Sequence, residues 1–228
     1  QKYDKHIETL KKAYEIKFEL LEEEENYLLK SASSIKYQNL SQEIAYEIKN
    51  NKNLMKKSDY ANYLMASAFY NLKQYKQAHN FIKTAIKLNE NNINYKLLEA
   101  KILFGEKKYP QALKITDNYE CKNSILKDDF LNLKYQILAK TAKNSAFEKL
   151  NEAKLSYLNH NYYKAIADIN ASISQDGENI EAYEILFKSL LKIKDTQAAA
   201  KVIERMENLS KKSPKTYEAK GDIEFINS

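Results

Sequence analysis

The stretch from Asp59 to Asn92 reads DYANYLMASAFYNLKQYKQAHNFIKTAIKLNENN, and residues 93–119 continue as INYKLLEAKILFGEKKYPQALKITDNY. Three pairs within it stand the same distance apart: Ala66 and Ala100, Tyr75 and Tyr109, Ala78 and Ala112, each thirty-four positions. Recurrence at that period marks a helix–turn–helix repeat. Ala66 and Ala100 let a second helix approach closely, and Phe69 and Leu103, one turn later, fill the space between the two. After a short loop the second helix carries Ala78, Ile82 and Ala85 in the first unit. The pattern predicts helices near 59–72 and 75–89, then a second unit over 93–126. In that unit Gly105 ends one helix, and Pro110 sits in the first turn of the next, where a missing N–H costs little.

Beyond residue 126 the register shifts. Ala112 and the matching Ala165 stand one period plus nineteen positions apart, enough for an extra helix and its loop. That helix is expected at about 127–143, with Phe130, Leu133, Ile137 and Leu138 apolar. Ser145 and Glu148 form a capping-box pattern that opens a third unit, 146–179, carrying Ala153, Tyr157, Tyr162, Ala165 and Ile169. Asp176-Gly177 turns the chain into a fourth, 180–213, with Tyr183, Leu186, Leu190, Ala199 and Ile203. Ser213-Pro214 starts a last helix over 214–226. Tyr217 falls one full period after Tyr183, and Gly221 takes the small-residue place. A lone final helix covers the open end of a stack of repeats.

Upstream, Tyr3, Ile7, Leu10, Tyr14, Phe18, Leu21 and Leu28 make one apolar stripe on a helix over 2–30. The run Glu22 to Glu25 is its solvated face. Residues 1–30 hold six Lys and eight Asp or Glu, a net charge of −2, against +6 for the whole chain. Packing on the basic body is favoured over a coiled-coil seam, which would be barely four heptads and interrupted. Ser31 to Ser34 breaks the pattern. Leu40, Ile44 and Ile48 mark a second helix at 37–50, Asn50 to Lys57 is a linker, and Ser58 or Asp59 caps the next helix. The expected organisation is an N-terminal helical region (1–57), two repeats (58–126), an extra helix (127–145), then two repeats with a capping helix (146–228).

The repeating pattern resembles the tetratricopeptide repeat, whose signature runs W-x2-L-G-x2-Y, then A-x3-F, then P. The departures are plain: the chain has no Trp, Ala replaces the Gly, and Glu90 stands where the Pro would fall. The resemblance implies an all-α solenoid with the first helix of each repeat lining a concave face. Carried over, that face holds Tyr60, Tyr63, Ser67, Tyr70 and Asn71 from the first repeat and Asn94, Leu97, Lys101 and Phe104 from the second. Further along come the more charged Lys154, Tyr157, Lys188, Leu191 and Asp222, so the first two repeats are the favoured binding region. Tyr offers large contact area with two torsions to freeze and a polar tip, and Asn can bond the peptide groups of an extended ligand. Tyr63 and Ser67 occupy the places where the family's carboxylate clamp has Lys and Asn, which argues against capture of a chaperone tail.

Composition narrows the function classes. Hydrophobic residues make up 43% and charged residues 30% of the 228, so the chain is expected to fold. Three Gly and two Pro are too few for a strand-rich fold with many hairpins. No apolar run is long enough to span a bilayer. The sequence pI is about 9.0, but Arg205 is the only Arg and the Lys are spread along the helices, unlike the Arg clusters that read phosphate and bases. Nucleic acid is therefore not expected as a partner. No phosphate-cradling Gly motif occurs. His6, His79 and His160 are scattered, and Cys121 is the only Cys; neither a metal site nor a disulfide is expected, nor any cofactor or catalytic residue. The chain begins at Gln1 rather than Met, which favours a removed leading signal or anchor and a periplasmic, cell-envelope location over the cytoplasm.

The expected function is a non-catalytic scaffold that binds a protein or peptide partner on the concave face. The competing expectation is an assembly protein acting through the 2–30 helix, by self-association or by docking to an envelope partner.

Overall fold

The computed structural model describes residues 58–120, 126–210 and 213–227. The helices expected at 2–30 and 37–50, the linker before Ser58, and Cys121 lie outside the described residues. Ten helices and no strand occur among the described residues. They are α1 (Asp59–Asn71), α2 (Tyr75–Leu88), α3 (Ile93–Gly105), α4 (Tyr109–Glu120), α5 (Lys127–Lys140), α6 (Ser145–Leu158), α7 (Tyr162–Gln175), α8 (Ile180–Lys192), α9 (Thr196–Leu209) and α10 (Pro214–Asn227).

Every helix pair that the sequence period predicts is joined by a tight turn of one design. Lys73, Lys107, His160 and Lys194 hold φ of 58, 60, 59 and 63°. The next N–H in each turn reaches back five residues, Gln74 to Phe69 O, Lys108 to Leu103 O and Asn161 to Ser156 O at 2.9 Å, and Asp195 to Leu190 O at 3.0 Å. The left-handed residue bonds back three, as in Lys73 N to Tyr70 O at 2.9 Å. This is the Schellman ending, which satisfies the last carbonyls of a helix. The four left-handed residues repeat the register of the alanines: one period, then the lengthened interval, then one period again. Most chains place Gly there; this one uses Lys and His at a cost of about 1–2 kcal/mol each.

Helix starts draw on short polar side chains. Ser58 Oγ accepts the Ala61 N–H at 3.0 Å, and Asn92, Asn161, Asn179 and Asp195 cap α3, α7, α8 and α9. The abundant Asn of the sequence thus has a structural use. The capping box expected at Ser145 and Glu148 is corrected: Asn144 is the cap, accepting from Phe147 N at 2.8 Å, and Ser145 is already helical. Asn144 competes one residue upstream, and Asn is at least as good a cap as Ser. The extra helix stops at Lys140 rather than near residue 143. Thr141 ends it, with its hydroxyl donating to Ile137 O at 2.9 Å.

The chain divides into two compact units, Gln1–Ile115 and Thr116–Ser228. In the first, α1 packs along α2, α2 packs on α3, and α1 also touches α3. Ala66, Ala78, Ile82, Ala85, Tyr95, Leu98 and Ile102 form one buried cluster. Ala61, Leu64, Met65 and Ala68 form another, bounded by the stacked rings of Phe69 and Phe81 with centroids 5.4 Å apart. The repeated alanines Ala66, Ala78, Ala100 and Ala112 are all fully buried, as close helix approach requires.

In the second unit α5 packs on α6, α6 on α7, α7 on α8, α8 on α9 and α9 on α10. Phe130 of α5 is buried and stacks with Tyr119, centroids 4.9 Å apart. One continuous core runs from Leu150 and Ala153 through Ile169, Phe187, Ala199 and Met206 to Ala219. Its last helix turns polar where the repeat would pack onward: Tyr183 is 7% exposed, and Tyr217, its equivalent one period later, is 62% exposed. The buried Leu186 and Phe187 are matched there by Lys220 and Gly221.

Candidate partner-binding face

The first helices of the two N-terminal repeats, α1 and α3, carry all nine residues expected to meet a partner. Ser58 starts α1 and Asn92 starts α3, each through its own side chain. The two caps stand one period apart, so Tyr60, Tyr63, Ser67, Tyr70 and Asn71 on α1 and Asn94, Leu97, Lys101 and Phe104 on α3 belong to the first helices of successive repeats.

Aromatic rings meet in three groups along these helices. The Tyr60 and Tyr63 ring centroids are 6.3 Å apart, and Tyr63 lies 4.9 Å from Tyr95 on α3. Tyr70 meets Tyr75 at 5.9 Å, and Phe104 meets Tyr109 at 5.7 Å across the next turn. Tyr63 and Tyr70 are half-buried and pack on the core cluster. Burial pushes the Tyr63 phenol above its ordinary pKa, partly offset by its hydrogen bond with Ser67. Burial, then the neighbouring Tyr75, does the same to Tyr70. Both hydroxyls therefore stay neutral, available to donate and accept throughout the physiological range.

Asn94 is exposed, while Tyr60, Ser67, Asn71, Lys101 and Phe104 are half-buried. Leu97 is different: at 6% exposure it belongs to the packing beneath the face. The residue that sequence reasoning missed is Tyr95. It is buried, packs against Tyr63, and its hydroxyl donates to Asp59 Oδ2 at 3.1 Å. Asn89 donates to the same oxygen at 2.9 Å, so Asp59 ties the start of α1 to the end of α2 and to α3. The available signal was the acid at the head of α1 lying just over one period before a Tyr.

The corresponding positions in the second unit are engaged otherwise. Lys154 is only 8% exposed, reaches Glu181 Oε1 at 2.8 Å and lies 5.4 Å from the Tyr135 ring centroid. Lys188 pairs with Glu184 at 2.7 Å, and Lys215 of α10 closes on the same carboxylate. Tyr157 sits edge-on to Tyr162. Leu191 packs on the core, and Asp222 is exposed. These charges join α6 to α8 and α8 to α10.

Among the described residues no His, Cys, Asp and Glu group is arranged to hold a metal ion, and no helix is long and apolar enough to cross a membrane.

The family described as "Anaphase-promoting complex, cyclosome, subunit 3" matches residues 38–119. No curated protein matches the chain. Among solved structures the chain is similar to one in the APC/C hetero-tetramer Cut9–Hcn1. Identity is 11% and the TM-score 0.43, over 99% of this chain and 47% of that one, so this chain spans about half of its length. It is also similar to the TPR2AB domain of yeast Sti1, solved in complex with pHSP90. There the identity is 16% and the TM-score 0.37, over 97% of this chain and 89% of that one. With a regular sequence period, paired helices closed by turns of one design, and buried Ala at most close-approach positions, the described residues are all-α helical hairpins that resemble tetratricopeptide repeats.

Proposed function

We propose that the chain is a non-catalytic scaffold that holds a protein or peptide partner along the α1 and α3 face. The supporting observation is the set of α1 tyrosines packed against the core. Tyr60, Tyr63 and Tyr70 present amphipathic rings whose bodies are already immobilised by packing, so little side-chain entropy remains to be lost on binding. Asn71, Asn94, Ser67 and Lys101 add donors and acceptors suited to an extended backbone. Repeat architectures use a surface of this kind because successive units offer equivalent side chains at regular intervals.

A photo-crosslinking residue at Asn94, compared with one at the exposed Lys201 of α9, tests this reading. The Asn94 position is expected to trap a discrete partner and the Lys201 position none. Equal, diffuse labelling from both would count against it.

A further inference from the structure

We infer that the cleft between the first two hairpin turns is a second docking site, one that takes a carboxylate-rich peptide segment of a protein partner. The cleft measures about 720 Å³ and lies where the α1–α2 turn, the first half of α2 and the α3–α4 turn meet. Lys73, Lys76, Lys83 and Lys108 line it, together with His79 and a single acid, Glu106. That acid is already used: its Oε2 lies 2.8 Å from His79 Nδ1 and 2.7 Å from Lys108 Nζ. No described residue pairs with Lys73, Lys76 or Lys83, all of which are exposed. A concave surface of one sign concentrates potential more than scattered charges do, and here that sign is positive.

The repeat frame does not demand this charge. At the equivalent positions of the second unit, Lys73, Lys76, His79, Lys83, Glu106 and Lys108 become His160, Tyr163, Ile166, Asn170, Ile193 and Asp195. The frame is satisfied by both sets, so the basic set is local chemistry. Tyr75, which lines the cleft, packs its ring where a side chain at Gly105 would begin. Gln74, Gln77 and Asn80 add amides along the wall, matched to peptide groups. Lysine point charges without any Arg fork, beside a buried carboxylate, suit spaced carboxylates better than a continuous phosphate backbone.

The test uses the full chain and a dye-labelled peptide of alternating Glu and Ser, read by fluorescence anisotropy at low and moderate salt. The comparison sets Lys76→Glu with Lys83→Glu against a control pair, Lys164→Glu with Lys201→Glu, which makes the same charge change on exposed positions of the second unit. The cleft pair is expected to weaken binding at least about tenfold and the control pair less than about twofold. Should the reversals disturb folding by circular dichroism, the Lys76→Gln, Lys83→Gln pair replaces them, with a smaller loss in the same order. Equal loss in both pairs, no loss in the cleft pair, or no binding of the peptide by the unaltered chain overturns the proposal. So does tighter, steeply salt-dependent binding of a single-stranded oligonucleotide. An Asn94→Ala, Lys101→Ala variant is expected to keep the peptide. The cleft and the tyrosine face can then succeed or fail separately.

Discussion

Gly105 and Gly221 stand in helices under opposite constraints. A Cβ built on Gly105 would lie 2.5 Å from the Tyr75 ring, which itself packs against Tyr70, whereas one on Gly221 meets nothing within 4 Å. Gly221→Ala is expected to stabilise by about 1 kcal/mol, the helix-propensity difference between the two residues. Gly105→Ala forfeits that gain to overpacking of about 1–3 kcal/mol and is expected to lower the melting temperature. Asn151 offers a third case. Its Nδ2 donates to Phe147 O at 2.7 Å, but its buried Oδ1 has no partner. One and two repeats upstream the same position holds the buried Leu98 and Leu64. Asn151→Leu therefore removes an orphaned oxygen at a site whose own relatives are Leu, and a gain of about 1 kcal/mol is expected in chemical denaturation. A loss there would mean that the oxygen is satisfied in solution.

At the scale of the element, the four Schellman turns set the helix pairing. Each strains a side chain into the left-handed region where Gly would sit freely. Lys107→Gly and Lys194→Gly are each expected to raise stability by about 0.5–1 kcal/mol, since the relieved strain slightly exceeds the added chain entropy. Lys194 lies far along the chain from the cleft-lining residues, so Lys194→Gly should not change peptide binding there. These turns also show what was legible in the sequence. The alanine spacing marked both helices of the first three repeats, Tyr183, Leu186 and Leu190 with Ala199 marked the fourth, and the one lengthened interval, from Ala112 to Ala165, left room for α5. Backbone geometry and close approach recur with the period, so they can be read from the sequence alone. Side-chain choices do not recur. Asn144 displaced Ser145 as a cap because two adjacent residues could each do the job. Tyr95 and the His79–Glu106 contact join residues of different repeats, and a period alone does not reveal such pairings.

At the scale of the whole molecule, two ion-paired carboxylates, one in each unit, contribute to the response to acid. Glu184 loses solvent on burial, which alone would raise its pKa, but hydrogen bonds and charge from Lys188 and Lys215 outweigh this and hold it below the ordinary 4.5. Glu106 is likewise lowered, against burial, by Lys108 and His79. A carboxyl whose folded pKa is depressed adds stability above its unfolded pKa and loses it as pH falls through the folded one. Glu184→Gln is thus expected to melt below the unaltered chain at neutral pH, with the gap closing as the pH drops under 4.5. A gap independent of pH would show that Glu184 contributes by packing alone. The most direct test of the central claim is quantitative capture of binding partners by the full chain against a Tyr60→Ala, Asn94→Ala, Lys101→Glu variant of matched melting temperature. If the α1 and α3 face holds the partner, that variant loses it while a Lys164→Glu, Lys201→Glu control retains it. Undiminished capture by the face variant would contradict the claim.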